Sequence, residues 1–593
     1  MADFSHSSDA ELQSLNAQVL ADPEEFEHWN KLVLAAEQQE GGLNRNSSPQ
    51  AIASTRDVYD RFLARFPLFF GYWKKYADLE FAIAGTEAAD MVYERGVASI
   101  GISVDLWANY CNFKTETNHD LDMIRELFER GAESVGLDFL AHPFWDKYIE
   151  FEERLHADDK VFSVLGRITQ IPMHQYARYF ERYRTMSAKR PIAELAPAEI
   201  VDGFKAEIER QPTMKGKTAA DAERELRARI DSYHMDLFNQ TQAETTKRWT
   251  YEQEVKRPYY HVTELDDTQL ANWRNYLDFE ESEGDYARIK FLYERCLVTA
   301  ANYDEFWLRY ARWMLSQDGN KSEEVRNIYQ RASCIFVPIA RPSIRLWYAK
   351  SEEALGNVDV AGDIVESILM VLPNHLEAIL DLTNLHRRQH GLDAAVHNLR
   401  RFINSPEISP HVRGALVAEW ARIACEISGK PNEAREIFTS NQEQYLDCRP
   451  FWLKWFFFEI NQPARDAKEQ GEHHQRVKAV YNTVRQRSQL TPITIKDVTT
   501  YYLTYLQERG PADAMQEVME LDKEVNGPVS VQKRTKREGM EDGGEGTVSS
   551  KMLLENGLVG AGMHETAIRG GESGHYAPAS QPVNGQGGPG GYQ

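Results

Sequence analysis

Trp273-Arg274-Asn275-Tyr276-Leu277-Asp278-Phe279-Glu280, followed after Gly284-Asp285 by Ala287-Arg288-Ile289-Lys290-Phe291-Leu292-Tyr293-Glu294-Arg295-Cys296, is the stretch whose reading decides the fold. The arrangement returns at once as Trp307-x-x-Tyr310, Gly319-Asn320 and Val325-Arg326-x-Ile328-Tyr329-Gln330-Arg331-Ala332. Trp273 and Trp307 are 34 residues apart, and so are Tyr276 and Tyr310. Positions i, i+3 and i+7 share one face of a 3.6-residue helix, so Trp, Tyr and Glu form a stripe. The glycine falls where a first helix would close in a left-handed cap, and the Asp or Asn after it can cap the next helix. A period of this length carrying two helices predicts an α-solenoid.

The same unit recurs to either side. Phe26, Trp29 and Leu32 face one way on a first helix, and Val58, Tyr59 and Phe62 answer from its partner. Next come Trp73-x-x-Tyr76-x-x-x-Glu80 with Val92-Tyr93-Glu94-Arg95-Gly96, then Trp107-x-x-Tyr110 with Leu127-Phe128-Glu129-Arg130-Gly131. Trp145-x-x-Tyr148-x-x-x-Glu152, paired with Val161–Ile168, is the fourth. Beyond the central pair, Trp347 is expected to open a further unit, and residues 375–403 form one without Trp. Trp420 and Trp452-x-x-Trp455-x-x-x-Glu459 begin two more, before a last helix pair over 494–525. Between the arrays, Pro191, Pro197 and Pro212 punctuate a stretch that runs into a charged helix from about Ala219 to Val255. These readings divide the chain into an N-terminal array (1–172), a helical connector (173–255), a C-terminal array (256–525) and a Gly-rich tail (526–593). The tail has too little apolar content to bury a core and is expected to be disordered.

Composition narrows the class. At 593 residues the chain exceeds one ordinary core, which suits a repeat array. A net charge of −23 argues against coating nucleic acid by bulk charge. Cys111, Cys296, Cys334, Cys425 and Cys448 are scattered without a C-x-x-C pair, as expected of a reduced intracellular protein. The polar, acidic first residues are unlike a signal peptide. The apolar run Phe451–Ile460 is too short to span a bilayer, so a soluble protein is expected.

No catalytic, metal or cofactor constellation emerges: the phosphate loop, the dinucleotide fingerprint, H-E-x-x-H and G-x-S-x-G are all missing, and no small-molecule substrate is implied. Adjacent His473 and His474 point about 100° apart on a helix and read as a solvated pair rather than a metal site. Glu80, Glu152, Glu280 and Glu459 recur at one repeat position, which favours pairing between neighbouring helices over acid catalysis. Trp73, Tyr76, Trp107, Tyr110, Trp145, Tyr148, Trp273, Tyr276, Trp307, Tyr310, Trp452 and Trp455 form the expected repeat core. Three surface features are candidate sites. Arg178, Arg182 and Arg184, with Lys189 and Arg190, interleave with Tyr176, Tyr179, Phe180 and Tyr183 as a candidate RNA contact. Lys533, Arg534, Lys536 and Arg537 fit a nuclear import signal. Trp452, Trp455, Phe456, Phe457 and Phe458 make one helix apolar nearly all round, as in an internal core helix or a dimer interface.

The Trp-x-x-Tyr-x-x-x-Glu helix followed by Ala-Arg-x-x-x-x-Tyr-Glu-Arg-Cys resembles the HAT (half-a-TPR) repeat, found chiefly in RNA-processing proteins. Lys256-Arg257-Pro258-Tyr259-Tyr260-His261-Val262 leading into Trp273, and Ile171-Pro172-x-His174-Gln175-Tyr176, resemble the pre-mRNA-processing factor 39 family in particular. The resemblance covers roughly residues 10–525; Lys114, where Glu would stand, and the Trp-less unit depart from it. It implies a nuclear, non-catalytic scaffold associated with the U1 small nuclear ribonucleoprotein (snRNP) in 5′ splice-site recognition. It also implies contacts with U1-specific proteins, the U1 C protein among them, and favours indirect over direct contact with U1 RNA. Dimerisation through the C-terminal array, with itself or with a related HAT paralogue, is implied as well. The alternatives are another HAT scaffold in mRNA 3′-end processing or later spliceosome assembly, and a direct RNA-binding protein using the 176–190 patch.

Overall fold

A computed structural model describes residues 10–210 and 218–526, and among these every regular element is helical. The first array comprises α1 (Ala10–Ala21), α2 (Phe26–Glu37), α3 (Pro49–Arg65), α4 (Phe70–Ala84), α5 (Thr86–Ser99), α6 (Val104–Thr117), α7 (Leu121–Val135), α8 (His142–Arg154) and α9 (Asp158–Ile168). It continues through α10 (Tyr176–Ser187), α11 (Ala198–Arg210) and the 36-residue α12 (Ala219–Glu254). The second array runs through α13 (Asp267–Glu283), α14 (Tyr286–Thr299), α15 (Asp304–Leu315), α16 (Ser322–Arg331), α17 (Ser343–Ala354), α18 (Val358–Val371) and α19 (Leu376–His390). Then follow α20 (Leu392–Ile403), α21 (Pro410–Arg422), α22 (Pro431–Asn441), α23 (Arg449–Ile460), α24 (Ala467–Arg487), α25 (Pro492–Arg509) and α26 (Ala514–Asn526). The chain divides into two compact units, Met1–Phe451 and Trp452–Gln593. The Gly-rich tail and its basic run lie outside the described residues.

Local chemistry sets the helix ends. Gly284 closes α13 at φ 82°, a left-handed cap that L side chains adopt at a cost. Asp285 then accepts from the amides of Ala287 and Arg288 to start α14. Thr218 and Asp221 form a reciprocal capping box at the head of α12. Gly131 is required for closeness instead: a Cβ there would sit 2.5 Å from the Phe144 ring.

One set of contacts repeats from hairpin to hairpin. The second-helix aromatic stacks on the tyrosine of the following first helix: Tyr59 on Tyr76 at 4.7 Å, Tyr93 on Tyr110 at 5.0 Å, Phe128 on Tyr148 at 4.6 Å and Tyr293 on Tyr310 at 4.7 Å. The acid just after that aromatic accepts from the tyrosine hydroxyl, as Glu129 does from Tyr148 at 2.7 Å and Glu294 from Tyr310 at 3.1 Å. The same acid binds an arginine of the next second helix. Arg130 reaches Glu94 at 2.9 Å, Arg167 reaches Glu129 at 2.7 Å and Arg331 reaches Glu294 at 2.7 Å. Each of these arginines also lies over the tryptophan of its own hairpin, Trp107, Trp145 or Trp307, at 5.3–5.7 Å. Charge, hydrogen bond and cation–π contact therefore fix the register of successive hairpins together.

Repeat contacts also reach into the segment read as a connector. Tyr183 of α10 stacks on Phe162 of α9 at 4.7 Å, continuing the first array. At the other end, α12 behaves as a second helix: Tyr251 stacks on Tyr276 at 5.0 Å, Arg248 grips Glu280 at 2.6 Å, and Glu252 accepts from Tyr276. The two arrays touch within the first unit. Arg295 lies between Asp138 (3.2 Å) and Glu252 (2.5 Å), all three buried or nearly so, and Tyr260 packs edge-on against Phe69 at 5.0 Å.

Candidate protein-interaction surfaces

All twelve tryptophans and tyrosines of the expected repeat core are buried. Indole N–H groups donate to a carbonyl six residues back in the preceding loop: Trp73 to Pro67, Trp107 to Gly101 and Trp307 to Ala301. Trp273 breaks this habit, because α13 starts six residues before it and the corresponding carbonyl belongs to the helix; its indole nitrogen has no acceptor.

The recurring glutamates are buried and paired. Glu80 holds Arg56 at 2.7 Å, Glu152 holds Arg125 at 2.8 Å, and Glu352 holds Arg326 at 2.8 Å. Hydrogen bonding from Arg326 holds the Glu352 carboxyl below the usual range. Lys114, the apparent departure, is a reversal of the same pair. Where Arg56 and Arg125 stand, three residues before the stacking aromatic, α5 carries Asp90, and Lys114 binds it at 2.7 Å. The sequence signal was available but needed both helices read together.

Several expectations change. His473 and His474 are not a solvated pair: His473 is buried, its Nε2 within 2.8 Å of the Glu459 carbonyl and its Nδ1 3.3 Å from the Tyr505 hydroxyl. In the basic–aromatic stretch, Arg178 is held by Asp146 at 2.6 Å, Arg182 pairs with Glu153, and Arg190 binds Asp159 at 2.7 Å. Tyr179, Phe180 and Tyr183 are buried, and Tyr176 packs on Phe238, so the stretch offers little aromatic face for a base to stack on. Arg184 is exposed. On α23, Trp452, Trp455 and Phe456 are buried, while Phe457 and Phe458 are half-buried, with Phe457 edge-on to Tyr501 at 4.9 Å. Of the five aromatics, only Phe457 and Phe458 keep accessible surface. Lys533, Arg534, Lys536 and Arg537 lie outside the described residues.

Trp347 is the largest surprise. It does not open its unit. Tyr348-x-x-x-Glu352 sets the register, which assigns the repeat tryptophan's place to Arg345. That guanidinium is buried and donates to the carbonyls of Ser333, Val337 and Pro338, taking over the loop-carbonyl role of the indole. Trp347 is left 44% exposed. A surface depression of about 300 Å³ elsewhere is lined by Glu94, Trp107 and Arg130, which already belong to the repeat ladder.

Comparison with known proteins places this architecture. Residues 13–185 match the family model described as PRP39 N-terminal HAT repeat, and residues 246–388 match PRP39 C-terminal HAT repeat. The matched segments end and resume where α10 and α12 make repeat contacts. Pre-mRNA-processing factor 39 of Schizosaccharomyces pombe is 47% identical over 580 residues, 95% of this chain and 94% of that protein. Its counterpart in Xenopus laevis is 32% identical, over 75% of this chain and 70% of its own. A protein of Saccharomyces cerevisiae named U1 small nuclear ribonucleoprotein component PRP42 is 22% identical, over 52% of this chain and 58% of its own. With both family models matched and identity running along nearly its whole length, the chain belongs to the pre-mRNA-processing factor 39 family of HAT-repeat splicing proteins.

Proposed function

We propose that this chain is a non-catalytic scaffold of the U1 snRNP that acts in 5′ splice-site recognition, in the nucleus, through protein–protein contacts. The observation that carries the reading is family membership, joined to similarity with a relative whose own name makes it a U1 component. The repeat ladder supports it in kind, since the recurrent acids and aromatics that resemble reactive groups are engaged in packing. U1-specific proteins, the U1 C protein among them, are the expected partners. Contact with U1 RNA is indirect, because the arginines at 178 and 182 already hold carboxylates. The C-terminal array pairs with a second copy or a related HAT paralogue, with Phe457 and Phe458 as the accessible aromatics of α23.

The test is purification of the tagged full chain from nuclear extract at mild salt, with RNA sequencing and protein identification. Enrichment of U1 RNA with its specific proteins is expected. Recovery of polyadenylation factors, or of late spliceosomal components without U1, overturns the assignment to this particle. Light scattering of the isolated chain at micromolar concentration should give the mass of a dimer, each chain being 68.2 kDa. A monomer that stays monomeric with the paralogue added refutes the pairing.

A further inference from the structure

First helices of neighbouring hairpins are tied side by side on their outer faces. Arg309, two residues after Trp307, reaches back over the preceding first helix and holds Asp278 at 2.5 Å and Glu281 at 2.9 Å. One hairpin later that place belongs to Trp347, two after Arg345. It lies over Arg312 of α15, whose guanidinium is 5.2 Å from the ring centroid, and the Lys350 ammonium is also 5.2 Å from the ring. An ion pair between first helices is replaced here by an indole and cations.

This leaves an unusual group of side chains facing solvent. Trp347 is 44% exposed, and Leu315, one turn beyond Arg312 on α15, is 58% exposed. Lys350 has its own carboxylate, Asp381, at 2.9 Å. Arg312 is exposed, and no carboxylate pairs with it among the described residues. In a chain of net charge −23, the first-helix arginines Arg274, Arg309 and Arg388 each hold a glutamate of an adjacent first helix, a contact Arg312 does not make.

We propose that Trp347, Arg312 and Leu315 form a docking site for a segment of a protein partner that carries a carboxylate beside an apolar or aromatic side chain. Tryptophan and arginine are the residues that most often dominate protein interfaces. A guanidinium donates bidentately to a carboxylate, which is the contact Arg309 makes within its own chain and Arg312 lacks. The partner's apolar side chain covers the exposed indole and Leu315, and the indole's removal from water strengthens the neighbouring charge pair. Single-stranded RNA is the rival occupant. A base stacking on Trp347 competes with Arg312 and Lys350 for the ring, whereas a carboxylate joins Arg312 in place. The site stands apart from the particle assignment and holds or fails whichever assembly the chain joins.

The test is selection of a phage-displayed random 12-residue peptide library on the immobilised full chain, with counter-selection on the Trp347→Ala variant. Circular dichroism should show both proteins equally helical, since Trp347 fills no core position. Enriched peptides should carry Asp or Glu next to an aromatic or aliphatic residue. Their affinity, read by fluorescence anisotropy, should fall at least tenfold with Trp347→Ala and again with Arg312→Glu, and Arg312→Lys should retain part of it. Failure to enrich any Trp347-dependent acidic peptide overturns the proposal. So does an oligouridine 12-mer that binds the wild-type chain and loses affinity in Trp347→Ala.

Discussion

Exchanging Asp90 and Lys114 for the pair used elsewhere in the chain tests the repeat ladder directly. Asp90→Arg installs the arginine that Arg56 and Arg125 represent in neighbouring hairpins, and Lys114→Glu installs the glutamate that Glu80 and Glu152 represent. The Lys114 side chain is 12% exposed, the Asp90 side chain 29%, and the two are 2.7 Å apart. Exposed ion pairs contribute up to about 1 kcal/mol and breaking a fully buried pair costs roughly 3–5, so this half-buried contact should be worth about 1–3 kcal/mol. Asp90→Arg alone sets two cations together and removes one of the two acceptors of the Tyr110 hydroxyl, leaving Glu94. Lys114→Glu alone adds a carboxylate beside Asp90 and near Glu94. Each single change should destabilise by about 2 kcal/mol, and the double change should recover most of the loss, a coupling of at least about 2 kcal/mol. Urea unfolding followed by tryptophan fluorescence and circular dichroism supplies the cycle; both probes are needed because repeat arrays can unfold in stages. Singles and double that add within about 0.5 kcal/mol would refute the claim that the pair is a reversed copy of the ladder contact.

Trp273→Ala should cost about 3–5 kcal/mol in the same assay, whereas Trp347→Ala should change stability by less than about 1 kcal/mol, because one is fully buried and the other 44% exposed. Arg295→Met strands Asp138 and Glu252 without their shared cation and should cost roughly 3–5 kcal/mol, with faster proteolysis in the connector. Burial pushes the thiols of Cys111 and Cys448 up, the latter to about 11, so a thiol reagent should label Cys334 in the native protein and spare these two until urea is added. Burial also lowers the imidazoles of His142, His386 and His474, from an ordinary value of 6.5. The unfolded chain then binds more protons than the folded one below that value, so stability should be complete above about pH 6.5 and fall as pH drops through it. His142→Gln should lessen the fall in urea midpoint between about pH 7.5 and 5.5, since His142 faces His174, Asp146, Arg178 and Asp138.

The hairpin period was legible because its marker residues lie seven apart on single helices, where spacing alone determines which side chains meet. Trp73, Tyr76 and Glu80 need only helix geometry to be seen as one stripe. Their partners could not be read that way. Arg56 meets Glu80 across 24 residues, and Arg130 meets Glu94 across 36, so their pairing depends on how hairpins stack. The connector's edges were hidden for a related reason: α12 runs 36 residues without a turn, and its repeat motif, Arg248-x-x-Tyr251-Glu252, has no glycine or loop to announce it. Trp347 misled through chemistry rather than distance. It carries the marker residue, but Tyr348 and Glu352 carry the register, and Arg345 does the structural work of the missing indole.

The exchange at Arg345 and Trp347 shows how an acidic repeat protein can acquire specificity. Glu94, Glu129 and Glu294 are spent within the chain, each receiving a tyrosine hydroxyl and an arginine that also covers a tryptophan. Such residues cannot recruit a basic partner without undoing the register of two hairpins. Partner choice must therefore lie at positions the ladder has released. Where Arg345 replaces tryptophan, the loop carbonyls stay satisfied, the hairpin keeps its register, and an indole and a guanidinium become available at the surface. A substitution that is neutral for packing thereby creates a contact surface, which is how a repeat protein can diversify its partners while preserving its fold.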